Sequence, residues 1–373
     1  MSNRIQYIDI ARGIGILLVV LGHNDFALLS PFVYQVIYSF HMPLFFFLSG
    51  FFVNPSLPFF EYFKKRFHSV LKPYLFTIFL IYLASVSFEK MSFNTAIVRI
   101  VKSLYGTGYY LDWIQLWFLP HLFVVSLYTY FFIMIVGRFR NRWVRWGILL
   151  ATLAISIPFL QVFYPFSISV FGKDYELFGL PFSLDLIFLS GFFFLLGNEF
   201  RQVASEGTFD HFFLLISAGA GLILLNIFFR AQVNLNTRTY ESFVINTTEA
   251  ILGILFVLAL SRQIERRTQK LSALLKYLGQ ISLIILLFHV PIQDVWGQKI
   301  LAMTGSIPLS IAIGFFMGVA GSVFIYELFI RFNPVASFWF GRKAELPKQK
   351  ELPVKEDRTV TTPPSAPVVE IKE

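Results

Sequence analysis

The chain has 373 residues, 56% of them hydrophobic and 18% aromatic, with 14% charged residues and a formal net charge of +9. A soluble globular domain carries about 25% charged residues, so a mainly water-facing exterior is excluded and lipid must cover most of the surface. The lack of cysteine excludes disulfides and thiolate metal sites. The basic residues lie between apolar runs rather than along one face, which argues against a nucleic-acid partner.

A spanning helix needs about 20 mostly apolar residues. That rule predicts about ten spans, near 10–29, 33–53, 73–88, 114–136, 146–165, 182–200, 211–229, 245–261, 277–292 and 307–331. The runs do not alternate with period two, so an all-α polytopic integral membrane protein is expected rather than a β-barrel. The first run is not expected to be a cleavable leader. Arg12 interrupts it, and the apolar stretch Ile14–Leu21 ends in Gly22-His23-Asn24-Asp25 without a small-residue cleavage pattern.

Within the first span, YIDIARGIGILLVVLGHND, Arg12 and His23 stand eleven residues apart. Eleven helical steps are about three turns, so the two project from one face about 16 Å apart along the axis. An ionisable group inside a span is costly unless paired or hydrated, and so marks a functional position. One reading is an Arg gripping phosphates at the cytoplasmic interface and a His acting as general base deeper in the membrane. The other is an Arg reaching for headgroups and a His hydrogen-bonded within the bundle. Asp25 is two residues on; it orients the imidazole if the helix ends there, and otherwise faces water. Gly13 and Gly15 follow no strand and so form no nucleotide fingerprint; small residues there permit close helix packing.

The second span, in YSFHMPLFFFLSGFF, carries His41 and Ser49. The segment KKRFHSVLKPY then brings Lys64, Lys65, Arg66 and Lys72 to the membrane edge. The fourth span, LWFLPHLF, carries Trp117 and His121, and the ninth, SLIILLFHVPI, carries Ser282 and His289. His23, His41, His121 and His289 all fall in the outer half. No two have the i, i+3 or i, i+4 spacing of a helical metal pair, so no metal is expected. For the last three, hydrogen-bonded packing and substrate contact are both open.

Placing both termini in the cytoplasm puts about 24 of the 31 basic residues inside. They cluster at Lys64-Lys65-Arg66, at Arg138/Arg140/Arg142/Arg145 and at Arg262/Arg266/Arg267/Lys270. The outer loops near 89–113, 166–181 and 230–244 are short. Residues 1–340 are thus the predicted membrane domain, and the charged, Pro-rich 341–373 a disordered cytoplasmic tail.

Taken together, these segments resemble the membrane-bound acyltransferase-3 family. ARGIGILLVVLGH is similar to its first-helix motif of Arg, ten residues and His. FHMPLFFFLSGFF, KKRFHSVLKPY, LWFLPHLF and LGQISLIILLFHVPI resemble four later motifs, in order, from about Tyr7 to His289. The flavour is closest to fucose 4-O-acetylase-like members, found among bacterial exopolysaccharide and surface-glycan enzymes of the plasma (inner) membrane. The resemblance implies His23 as the catalytic residue, with Asp25 as a candidate assistant. It implies Arg12 and Arg66 as contacts to the phosphates of acetyl-CoA, the acyl donor, and leaves His41, Ser49, Trp117, His121 and His289 as substrate-site candidates. Expected partners are membrane lipids, acetyl-CoA, a sugar or lipid-linked glycan acceptor, and glycan-assembly proteins. A competing class is a polytopic glycan or lipid transporter, which would use the same polar groups to line a hydrated path; a structural membrane subunit is a third.

Overall fold

A computed structural model describes residues 6–139, 141–203 and 207–345. Among them fourteen α-helices follow in chain order: α1 Gln6–Gly22, α2 Pro31–Gly50, α3 Phe59–Arg66, α4 Lys72–Phe88, α5 Phe93–Leu104, α6 Phe118–Val136, α7 Arg142–Val162, α8 Ile187–Val203, α9 Phe212–Phe228, α10 Phe243–Arg267, α11 Gln269–Gln280, α12 Ser282–Thr304, α13 Ile307–Ile325 and α14 Pro334–Trp339. The all-α, multi-pass membrane architecture is as expected. Large apolar side chains such as Phe60, Phe213, Phe228 and Val244 stand exposed on the helices, the mark of a lipid-facing surface.

Among the described residues, seven helical runs are long and apolar enough to cross a membrane, and α11 with α12 gives an eighth if that bent pair is one span. Helices α1 and α9, 17 residues each, reach about 25 Å, slightly short of the roughly 30 Å hydrocarbon core. The expected ninth span, 277–292, is broken: the axes of α11 and α12 meet at 81°. The expected loop 54–72 is also largely helix, because α3 runs through a π turn at Phe67–Leu71 into α4. Pro73 explains that turn, since a proline offers no N–H to the carbonyl four residues back and its ring crowds it. Two predicted loops contain hairpins, β1 Phe166–Val170 with β2 Lys173–Leu177, and β3 Val233–Asn234 with β4 Thr239–Tyr240.

The loops gather into two groups at opposite ends of the helices. At one end, Tyr105 Oη donates to the Gly179 carbonyl (2.8 Å) and Arg238 pairs with Asp185, so the expected outer loops meet. At the basic end, Arg262 and Arg266 hold Asp210, Arg145 pairs with Glu199, and Arg201 reaches the Phe51 carbonyl. The Arg262 hydrogen bond holds the Asp210 carboxyl below its ordinary range. A depressed carboxylate contributes stability that is complete above the unfolded value of about 3.9 and is lost as pH falls through the lower folded value. Asp210→Asn is therefore expected to lower the thermal unfolding temperature at pH 7, by an amount that shrinks as pH falls below about 3.9. Equal melting of the two proteins at pH 7 would refute this.

Close packing at the basic end depends on glycine. A Cβ on Gly13 would lie 2.1 Å from the Leu275 carbonyl oxygen, and one on Gly279 would lie 1.9 Å from that of Asp9. These two glycines let α1 and α11 touch backbone to backbone, as the small-residue reading of the first span anticipates. Residues 341–345, placed in the tail by sequence, belong to the described structure and pack on its basic end: the Gly341 backbone lies against His68, and Arg342 donates to the Gln280 carbonyl at 2.9 Å. The predicted tail from 346 onward lies outside the described residues, as does Arg140.

Candidate active site

Helix α1 ends at Gly22, which leaves its last carbonyls without intrahelical donors. Side chains from other helices supply them. Tyr38 Oη donates to the Gly22 carbonyl (3.1 Å) and Gln293 Nε2 to that of His23 (2.7 Å), while Asn24 Nδ2 reaches the Ile311 carbonyl (2.9 Å). His23 is thereby fixed between α2, α12 and α13. Its Nδ1 lies 2.9 Å from the Val19 carbonyl. A carbonyl can only accept, so Nδ1 carries the proton of the neutral ring and Nε2 keeps its lone pair.

Two cavities meet at this imidazole. The larger, of about 490 Å³, runs from His23 along the α1 face to Arg12, so one helical stripe lines its length as the eleven-residue spacing requires. Arg66, Arg342 and Lys343 join Arg12 at the basic end. Ser49, Trp117 and Ser282 line its wall. The smaller cavity, of about 90 Å³, lies toward the hairpin end and is bounded by Tyr38, His41, Asn234 and Asn236. His23, Met42 and Trp117 line both cavities and form the boundary between them.

The cations at the wide mouth suit an anion. Arg66 lies at the π turn, where its Nε donates to Tyr62 Oη at 3.1 Å, and its Nη2 is buried with no hydrogen-bond partner among the described residues. A buried guanidinium donor without a partner is costly unless a ligand satisfies it. Its neighbours Lys64 and Lys65 are exposed and do not line the cavity, so only the third residue of that cluster turns inward. Arg12 is 3.8 Å from Asp9 and lies 4.4 Å over the Phe52 ring.

The remaining candidates separate. His41 lines the small cavity, its Nδ1 on the Ile37 carbonyl at 2.9 Å. His289 packs edge-on against His23 with ring centroids 5.4 Å apart, and its Nδ1 contacts the Ile285 carbonyl. His121 lines neither cavity. Its Nδ1 donates to the Phe182 carbonyl (3.1 Å) and its Nε2 lies 2.8 Å from Ser190 Oγ, so both ring nitrogens are engaged. Asp25 does not join His23. It is exposed, opens a 3-10 turn at Asp25–Leu28 and lines neither cavity; the carbonyl of Val19 occupies the nitrogen that a carboxylate would have oriented. No group of three or more possible metal-holding side chains occurs among the described residues.

Several site residues escape sequence reasoning. Gln115 lines the large cavity because Pro291 breaks the ladder of α12: the Leu287 carbonyl, four residues before the proline, has no helical donor, and Gln115 Nε2 lies 3.5 Å from it. Gln293 could have been suspected as a polar residue one turn beyond His289. Arg342 could not, since charge and proline around it read as tail.

Comparison with known proteins identifies the family. Residues 5–327 match the profile of a family described as an acyltransferase domain. The nodulation protein NolL of Mesorhizobium japonicum is 28% identical over 187 residues, which cover 44% of this chain and 46% of NolL. The chain thus spans about half the length of that relative. No solved structure matches it.

Proposed function

Because the chain belongs to the acyltransferase-3 family, we propose that this multi-pass membrane acyltransferase moves an acetyl group from cytoplasmic acetyl-CoA to a sugar hydroxyl across the bilayer. The acceptor is a cell-surface or exopolysaccharide sugar, free or lipid-linked, as in the fucose 4-O-acetylase-like subgroup. Both termini then face the cytoplasm of a bacterial cell, and the membrane is the plasma (inner) membrane. The observation that carries this reading is His23 at the junction of two cavities, one with Arg12, Arg66, Arg342 and Lys343 (and one carboxylate, Glu345) at its far end and the other lined by neutral polar groups.

The phosphates of the donor sit among Arg12, Arg66, Arg342 and Lys343, where guanidinium groups bind phosphate oxygens in pairs. The pantetheine arm follows the α1 face toward His23, a distance of about 16 Å along the helix. The acceptor hydroxyl enters from the smaller cavity. His23 Nε2 takes its proton as the oxygen attacks the thioester carbonyl. The tetrahedral intermediate then collapses with cleavage of the carbon–sulfur bond, and the proton passes to the departing thiolate. Uncharged surroundings at the junction favour a neutral base, and the Val19 carbonyl keeps the imidazole in the tautomer that can accept.

The test uses purified protein in proteoliposomes, acetyl-labelled acetyl-CoA and methyl fucopyranoside. Label in the glycoside is expected; a pure transporter would transfer none, and its absence from fucosides, galactosides and glucosides alike would sink the reading. In the same assay Arg66→Gln is expected to raise the donor KM about 10–100-fold, the worth of a charge-assisted hydrogen bond, with the acceptor KM unchanged.

A further inference from the structure

The small cavity has one wall that the catalytic reading leaves unused. It is the hairpin β3–β4 with its tip, residues 233–240, which brings Asn234 and Asn236 to the cavity opposite His23. A tip of this size would ordinarily be mobile, yet this one is pinned from below. The Arg238 side chain is 2% exposed and that of Asp185 fully buried, and they pair through two contacts, Nε to Oδ2 at 2.6 Å and Nη2 to Oδ1 at 3.1 Å. The third arm of the guanidinium, Nη1, donates to the Asn236 carbonyl at 2.7 Å. Arg238 itself takes a left-handed backbone conformation (φ 57°), a cost accepted where surrounding contacts dictate it. Asp185 is held in turn by the Leu180 N–H (2.9 Å).

The carboxamide that this clamp presents is unsatisfied. Asn236 Oδ1 is buried with no hydrogen-bond partner among the described residues. That oxygen lies 1.9 Å from where a Cβ on Gly108 would stand, so it is packed on the Gly108 backbone, and the NH2 edge of the amide is the one left for a ligand. Asn234, by contrast, spends its Oδ1 on the backbone N–H groups of Asn236 and Thr237. A planar amide whose N–H donors are left for a ligand beside an aromatic wall is chemistry that reads a sugar hydroxyl. Trp117 and Tyr38 supply that wall.

We propose that Asn236 is an acceptor-specificity residue: it hydrogen-bonds a hydroxyl adjacent to the one acetylated, and the Arg238–Asp185 pair positions it so that a single hydroxyl of the sugar reaches His23. This rests on acetyl transfer to a sugar at His23. It adds that the hairpin, and not the catalytic helix, selects the hydroxyl.

The experiment compares wild type with Asn236→Ala and Asn236→Asp in proteoliposomes, using acetyl-CoA and methyl fucopyranoside. Acceptor KM, donor KM, acetyl-CoA hydrolysis without acceptor and the acetylated position, by NMR, are all measured. For Asn236→Ala the acceptor KM is expected to rise about tenfold, the worth of one neutral hydrogen bond, with mixed positional products and with donor KM and hydrolysis unchanged. Asn236→Asp keeps the shape but loses the N–H donors, and is expected to lose selectivity as Asn236→Ala does. Unaltered acceptor KM and position in both variants, with wild type active, overturn the assignment of Asn236 alone. A parallel loss of donor hydrolysis in both overturns it too, since the residue is then structural. Absence of transfer by wild type overturns the acetylation reading itself and this assignment with it.

Discussion

His23→Ala is expected to lower acetyl transfer about 10²–10⁴-fold, the usual contribution of a positioned general base, while donor KM stays within about twofold of wild type. The ring is the one imidazole of the chain, among the described residues, that lines both cavities, and its Nε2 is left free by the Nδ1 contact to Val19. Removing it joins the two cavities without touching Arg12, Arg66 or Arg342, so donor binding and catalysis part company. His121→Ala is the contrasting case. Both of its nitrogens hold structural partners, and its loss is expected to appear in thermal stability before it appears in the acceptor KM. Purified variants assayed for transfer, donor KM and melting in parallel separate the two; full transfer by His23→Ala would remove His23 from the chemistry.

Arg238→Met is expected to destabilise the protein by about 3–5 kcal/mol, because it leaves the Asp185 carboxylate buried without its cation. Asp185 lies beneath a strained stretch in which Phe182 and Ser183 both adopt φ of 56°. Non-glycine residues in that region cost about 1–3 kcal/mol each, offset here by Phe182 N–H to the Tyr105 carbonyl (2.7 Å) and Ser183 N–H to that of Leu180 (2.8 Å). Once Asp185 is unpaired, the segment has reason to rearrange, and the hairpin with it. The double variant Asp185→Leu, Arg238→Met removes both charges and should recover most of the stability, since well-packed apolar replacements of a buried pair are often neutral. It should not recover acceptor binding, because the Nη1 contact to Asn236 is still missing. Melting curves and acceptor KM measured on all three variants test this, and a double variant as unstable as the single one would show that the pair is not the origin of the loss.

The pairing of Arg12 with His23 was legible in the sequence because it is a property of one helix. Eleven residues at 3.6 per turn set both on one stripe, and neither needs a neighbour to be placed there. Apolar run length likewise determined the all-α membrane architecture, and the spacing of Lys and Arg gathered the loops into two groups. Even the bend between α11 and α12 leaves little trace in composition: Gly279-Gln280-Ile281-Ser282 is one short polar interruption within an apolar stretch.

What the sequence could not decide was convergence. Whether Asp25 turns to His23 depends on where α1 stops and on which carbonyl fills the ring's other nitrogen, and that is fixed by Tyr38 and Gln293 from separate helices. Gln115 enters the cavity through a carbonyl freed by a proline 176 positions later in the chain. Arg342 reads as tail until Gln280 and Tyr326 are seen to hold it over the mouth of the cavity. Periodicity, apolar length and charge bias are local and are written within a turn or a span. The partners of a buried polar group come from wherever packing brings a donor to an acceptor, and that is settled only when the helices meet.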